Sequence, residues 1–113
     1  MEYLSVKKSI MDNYLPNLHP GEILRLEFLE SLDISPAQLS QDINAPQPQV
    51  GDIISEHSSI TADIALRLSK YFGNSAQFWM NLQTQYDLRR AQITHNKAYD
   101  RISAFPQPST GEI

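Results

Sequence analysis

The segment PQPQVGDIIS at residues 46–55 carries the polar side chains of this sequence that are best suited to recognising nucleic-acid bases. A glutamine such as Gln47 or Gln49 can make two hydrogen bonds to the adenine edge in the major groove of DNA, and Asp52 can accept one from cytosine. Such contacts require the side chains to lie on the outer face of a helix that enters the groove. The segment therefore predicts a base-reading helix.

The hydrophobic pattern supports a helix at this place. Val50, Ile53 and Ile54 fall on one face at helical spacing, so that face is predicted to be buried. The same spacing leaves Gln47, Gln49, Gly51 and Asp52 facing outward.

A second short helix is predicted immediately before the reading helix. Ser35 is a good N-cap, Pro36 suits the first helical position, and Leu39 and Ile43 lie four residues apart on one face. Asn44 tolerates the left-handed conformation in which many helices end. Two short helices joined by a tight turn favour a helix-turn-helix DNA reader, although the same pattern also occurs in helical bundles that bind no nucleic acid.

Capping residues predict further helices on both sides of this pair. His19-Pro20-Gly21-Glu22 starts one helix, Thr61 caps another that closes at Gly73, and Ser75 caps a long last helix. The helix after Thr61 has an apolar stripe that is predicted to be core: Ile64, Ala65, Leu68, Tyr71 and Phe72. The last helix carries residues predicted to serve both the core and a homodimer interface: Phe78, Trp79, Leu82 and Tyr86.

Composition limits the classes of function. The chain has 113 residues, of which 41% are hydrophobic, and this fits one domain. With no cysteine and three widely spaced histidines, we predict no metal or other cofactor, and since no catalytic motif appears we predict no enzyme. No apolar run reaches the roughly 18–20 residues of a membrane span, so we expect a soluble, cytoplasmic protein. The net charge of −4 argues against general coating of nucleic acid but not against a sequence-specific reader.

Three sequence blocks resemble the HigA-type antitoxins of the XRE-like helix-turn-helix family, also called virulence-associated protein I. The blocks are HPGEIL at 19–24, ITADIALRL at 60–68, and YFGNSAQFWMNLQ at 71–83 with YDL at 86–88. The resemblance implies an all-α, compact five-helix, lambda-repressor-like domain that dimerises and binds a palindromic operator in its own promoter. It also implies a protein partner, a RelE-like (HigB-type) toxin that cleaves mRNA on the ribosome and is neutralised by binding.

The resemblance places the DNA-contacting residues by position. Base-facing places fall on Gln47, Pro48, Gln49 and Asp52, and backbone-facing places on Ser55 and Ser58. We divide the chain into an N-terminal arm or short helix (1–18), the helix-turn-helix antitoxin domain (19–91), and a C-terminal extension (92–113). The last helix is expected to continue over 92–105, and the final residues are expected to be disordered.

The reading segment departs from the family pattern. The family commonly has arginine where Gln49 stands, and glycine followed by lysine or arginine where Glu56, His57 and Ser58 stand. No lysine or arginine occurs between Arg25 and Arg67, so we predict a poor phosphate-binding surface. Glu56 is expected to disfavour a positive φ, which would change the turn after the reader. The remaining candidates for phosphate contact are Lys7, Lys8, Arg25, Arg67 and Lys70.

Two alternative functions stay open at this point. One is a stand-alone helix-turn-helix transcriptional regulator without a toxin. The other is a toxin-binding protein with weakened DNA binding.

Overall fold

The computed structural model describes residues 17–106, and this part of the chain is entirely helical apart from its connections. Five helices follow one another, in agreement with the predicted all-α, five-helix architecture. Helix α1 begins as Pro20–Ile23 and continues as a π-helical segment, Leu24–Glu30; the others are α2 (Pro36–Asp42), α3 (Gln47–Ile54), α4 (Ala62–Phe72) and α5 (Ala76–Asp100). The predicted N-terminal arm lies almost wholly outside the described residues, as do residues 107–113.

Most helices begin at the cap that the sequence predicts. The hydroxyl oxygen of Ser35 accepts from the Gln38 N–H at 3.0 Å, and that of Ser75 accepts from the Phe78 N–H at 3.0 Å. Thr61 caps α4 in the same way. Each cap satisfies a backbone donor that the helix leaves unpaired, so the start of the helix is set by local chemistry.

The helix ends use residues in the left-handed conformation. Asn44 has φ 57° and Gly73 has φ 81°, as predicted, and Asp33 has φ 59°. The expectation for Glu56 is wrong, because its φ is 71° although it carries a Cβ atom. Two backbone bonds of a Schellman motif hold it there: Glu56 N–H donates to the Ile53 carbonyl at 3.0 Å, and the next N–H donates to the Asp52 carbonyl at 2.8 Å.

One continuous core lies between the helices. Its fully buried side chains include Leu24, Leu39, Ile53, Ile64 and Trp79. The Phe28 ring packs 4.9 Å from the Trp79 ring, centre to centre, which joins α1 to α5. The predicted core stripe of α4 is confirmed except at Tyr71, which is 37% exposed and donates its hydroxyl proton to Asp42 at 2.6 Å.

Helix α5 continues well beyond the core. It ends at Asp100, so the expectation of a helix as far as residue 105 is correct only in part. His95 has non-helical angles, φ −120° and ψ 21°, which marks a kink. Past the core the helix and the following residues expose apolar side chains: Leu88, Ile93, Tyr99, Ile102 and Phe105. Within the described residues no helix is long and apolar enough to cross a membrane.

Candidate nucleic-acid interface

Helix α3 presents a polar face outward and buries its apolar face. Val50 and Ile53 are each 2% exposed, while Gln47, Pro48 and Asp52 are exposed and Gln49 is half-buried. This arrangement confirms the predicted orientation of the helix. Pro46 is the N-cap residue rather than the first helical residue, and no side chain bonds the free N–H groups of the first turn. These groups and the outward side chains form the surface available to a ligand.

Helix α1 packs against α3 through a very close approach of the two backbones. A Cβ atom built on Gly21 would lie 1.8 Å from the carbonyl oxygen of Ile53, so only glycine fits. His19, beside it, caps α1 by accepting the Gly21 N–H on Nδ1 at 2.8 Å, and its ring packs edge-on against Tyr86 at 4.8 Å. The HPGE motif, predicted only as a helix start, therefore also sets how closely α1 and α3 pack against each other.

Burial changes the acid–base behaviour of His19. Its removal from water lowers the pKa of the imidazole below the ordinary value of 6.5, and the carboxylates of Glu56 and Asp87 oppose that shift without reversing it. On α4, the hydrogen bond to Asp42 raises the pKa of the Tyr71 hydroxyl. The neutral form of His19 is the one that can accept the cap hydrogen bond.

Arg67 of α4 holds the turn between α2 and α3. One of its terminal nitrogens donates to the Ile43 carbonyl at 2.9 Å and to the Asn44 carbonyl at 3.0 Å, while its Nε donates to Asp63 at 2.9 Å. Arg67 therefore stabilises the turn, and its role as a phosphate-contacting cation stays a prediction. Arg25 pairs with Glu30 at 3.1 Å. Lys70 is exposed, and Lys7 and Lys8 lie outside the described residues.

The loop after α3 is fixed at both ends. At its start the Asp52 carbonyl accepts the N–H groups of His57 and Ser58 at 2.8 and 3.2 Å. At its end the buried Gln83 accepts the Ile60 N–H on its side-chain oxygen at 2.8 Å. Nothing in the sequence marks Gln83 for this role, since its partner is 23 residues away. These hydrogen bonds therefore anchor the loop to α3 at one end and to α5 at the other.

The predicted backbone-facing serines lie in this region but differ in availability. Ser55 is exposed, and its hydroxyl donates to the Gly51 carbonyl at 2.8 Å, so its proton is used inside α3. Ser58 is half-buried. Of these two serines, only Ser58 has a hydroxyl group that donates no hydrogen bond within the described residues.

The four residues predicted to form a dimer interface divide into two groups. Trp79 is 0% exposed and Leu82 is 7% exposed, because both side chains fill the core of the monomer. They have no surface to offer a second subunit, and this corrects the prediction for these two residues. Phe78 and Tyr86 are only partly buried. The homodimer itself stays a prediction.

Helix α3 with its exposed polar face, α2 before it and the turn held between them define a helix-turn-helix protein. Virulence-associated protein I of Dichelobacter nodosus is 45% identical over 80 residues, which cover 71% of this chain and 74% of that protein. Antitoxin HigA-1 of Vibrio cholerae is 34% identical over 88 residues, covering 78% and 79%. The chain belongs to this HigA and virulence-associated protein I family.

Solved structures agree with this assignment. Antitoxin HigA of Pseudomonas aeruginosa, determined with the higBA promoter, superposes with a TM-score of 0.77 at 47% identity, covering 81% of this chain and 100% of that one. No protein-family model matches the sequence. The resemblance predicted from the HPGEIL, ITADIALRL and YFGNSAQFWMNLQ blocks is thus confirmed.

Proposed function

We propose that this protein is the antitoxin of a type II toxin-antitoxin module, binding operator DNA in its own promoter and neutralising a RelE-like toxin. The observation that carries the DNA-binding part is the outward polar face of α3, held by the Gly21 contact below and by Arg67 at the turn. Rigid placement matters because a base contact requires side chains positioned to within a fraction of an ångström. The family relative solved with its promoter supports the same ligand.

In this proposal the outward face of α3 reads bases. Gln47 and Gln49 take adenine edges, Asp52 takes a cytosine, and Pro48 packs against the groove wall. Ser58 approaches the phosphate backbone. The DNA, as an intracellular ligand, would place the protein in the cytoplasm.

Operator recognition in this proposal uses a homodimer. Two copies of α3, one turn of DNA apart at about 34–36 Å, would match a palindromic site. Phe78 and Tyr86 are the originally predicted interface residues that retain exposed surface.

The first experiment is a fluorescence-anisotropy titration with overlapping duplexes tiled across the DNA upstream of the gene. The proposal expects one tile to bind far more tightly than a shuffled duplex, with a stoichiometry of two chains per site. Equal binding to all tiles would contradict it. Light scattering that shows a monomer at tens of micromolar, with and without DNA, would refute the dimer.

Neutralisation is tested separately with the neighbouring gene. A small RelE-like reading frame beside this gene should arrest growth when expressed alone, and co-expression of this protein should restore growth. If co-expression does not restore growth and gel filtration shows no complex, the protein would instead be a stand-alone transcriptional regulator. Rescue without operator binding would instead favour a toxin-binding protein with weakened DNA binding, an alternative that gains support from the lack of lysine and arginine in α3 and the turn after it.

A further inference from the structure

The turn that follows α3 holds a histidine in a defined orientation. His57 is exposed, and its Nδ1 lies 2.9 Å from the Ser55 hydroxyl oxygen. Its backbone N–H is bonded to the Asp52 carbonyl, so both the backbone and the ring are fixed. The exposed ring therefore lies beside Ser55 at the end of α3.

The hydrogen bonds of Ser55 bear on which ring nitrogen of His57 carries the proton. With the Ser55 hydroxyl donating to the Gly51 carbonyl at 2.8 Å, the neutral tautomer that fits is the one with hydrogen on Nδ1, which donates to the Ser55 oxygen. A neutral imidazole with hydrogen on Nδ1 has only a lone pair on Nε2. That form cannot donate to a phosphate. Protonation places a hydrogen on Nε2 as well, and the same ring then becomes a cationic donor.

The turn after α3 has acidic neighbours and lacks a lysine or arginine, so a charge on His57 would matter for DNA binding. Asp52 and Glu56 lie beside His57 in the sequence. Four charged groups act electrostatically on the nearby buried His19: Glu56, Glu22 of α1, and Asp87 and Arg90 of α5. Arg25 and Arg67, the cations that bracket the reading region in the sequence, are each ion-paired. The reading surface has no lysine or arginine of its own, so a protonated His57 would supply the cation that a phosphate contact needs.

We propose that His57 is a contact to the DNA backbone, donating from Nε2 to a phosphate beside the reading helix when its imidazole is protonated. This inference rests on the proposed operator binding. It predicts that DNA affinity rises as the pH falls across the range in which histidine gains charge. It also predicts that Ser55 orients the ring rather than contacting DNA itself.

The test measures operator binding against salt concentration at about pH 6 and about pH 8, on either side of the ordinary histidine pKa of about 6.5. Each neutralised phosphate contributes about 0.9 to the slope of log K against log salt. The parent should therefore show a slope steeper by about 0.9 per subunit at the lower pH, with affinity higher by about tenfold per contact. His57→Arg should give the steep slope at both pH values, and His57→Gln the shallow slope at both.

The matched control is His95→Gln, which changes an exposed histidine on the distal part of α5 and should keep the parent's pH dependence. Ser55→Ala frees the neutral ring to carry its proton on Nε2, so the difference between the two pH values should narrow. The proposal is overturned if His57→Gln retains the full pH dependence of the parent, or if His57→Arg binds no more steeply with salt at the higher pH. If the parent binds no upstream duplex at either pH, the proposed operator function fails instead.

Discussion

Replacing Gly21 by alanine tests the contact on which the position of the reading helix depends. The added Cβ would lie 1.8 Å from the Ile53 carbonyl oxygen and 2.8 Å from its carbon, both of them backbone atoms of α3. An ordinary contact needs about 3.5 Å, so α1 and α3 would have to separate by more than an ångström. Because rigid backbone rather than a flexible side chain is displaced, the cost should be at the upper end of overpacking, about 3 kcal/mol.

A matched glycine substitution on the outward face of α3 distinguishes this clash from a general effect of alanine. Gly51 lies within α3 and a Cβ there would meet no atom within 4 Å. Gly51→Ala should therefore stabilise the protein by about 0.5–1 kcal/mol through helix propensity and the unfolded chain. Both variants gain the same methyl group, and the structure predicts opposite signs.

Thermal and urea unfolding followed by circular dichroism measure both variants. In a domain of this size about 1 kcal/mol shifts Tm by roughly 4–8 °C, so Gly21→Ala should melt at least about 12 °C below the parent. Gly51→Ala should melt a few degrees above it. If Gly21→Ala unfolds within about 1 kcal/mol of the parent, the close approach of α1 to α3 is wrong, and with it the explanation for how the reader is held.

Three further predictions follow from contacts of the described residues. Glu56→Gly should raise the free energy of unfolding by about 0.5–1 kcal/mol, because a φ of 71° is strained for a residue with a Cβ atom but not for glycine. Glu56→Ala keeps the Cβ atom and should not raise it. Urea unfolding of both variants checks this difference. The free energy of unfolding should fall as the pH drops through 6.5, because burial lowers the pKa of His19 in the folded protein and the unfolded chain therefore binds a proton there more readily. His19→Ser keeps a cap acceptor and should flatten this pH dependence. An unchanged pH dependence in that variant would mean that other groups cause it. Operator binding at neutral pH should show a salt slope no steeper than about −5 for the dimer, because α3 and its turn carry no lysine or arginine and Arg25 and Arg67 are ion-paired. A steep slope would contradict this and would mean that other cations, such as Lys70, Lys7 or Lys8, contact the phosphates.

The helix starts could be predicted from the sequence because their causes are local. Ser35 and Ser75 each bond a backbone N–H three residues later, and that relationship is readable from residue type and spacing alone. The apolar stripe of α3 is equally local, which is why the outward face of Gln47 and Asp52 was predictable. Local rules also account for the left-handed Asn44 and Gly73.

The supports of the candidate site could not be predicted because they join distant parts of the chain. The Gly21 contact with Ile53 and the Gln83 bond to the Ile60 N–H depend on how the helices pack. Periodicity likewise could not separate core from interface at Trp79, since both would be apolar at the same spacing. At Glu56 a residue preference was outweighed by two backbone hydrogen bonds, an effect of geometry rather than of residue type.

Operator titrations of variants in the first turn of α3 test the central claim most directly. The duplex identified upstream of the gene, and versions with single base pairs exchanged, would be titrated with the parent and with variants at Gln47 and Gln49. Gln77→Ala is the control, an exposed glutamine on α5 away from the reader. The account predicts that each alanine replacement in α3 loses roughly 1–3 kcal/mol of discrimination at one base pair with Tm nearly unchanged, while the control binds as the parent does. A double replacement, Gln47→Ala with Gln49→Ala, that binds the operator and discriminates its base pairs as well as the parent would contradict the assignment of α3 as the reading helix.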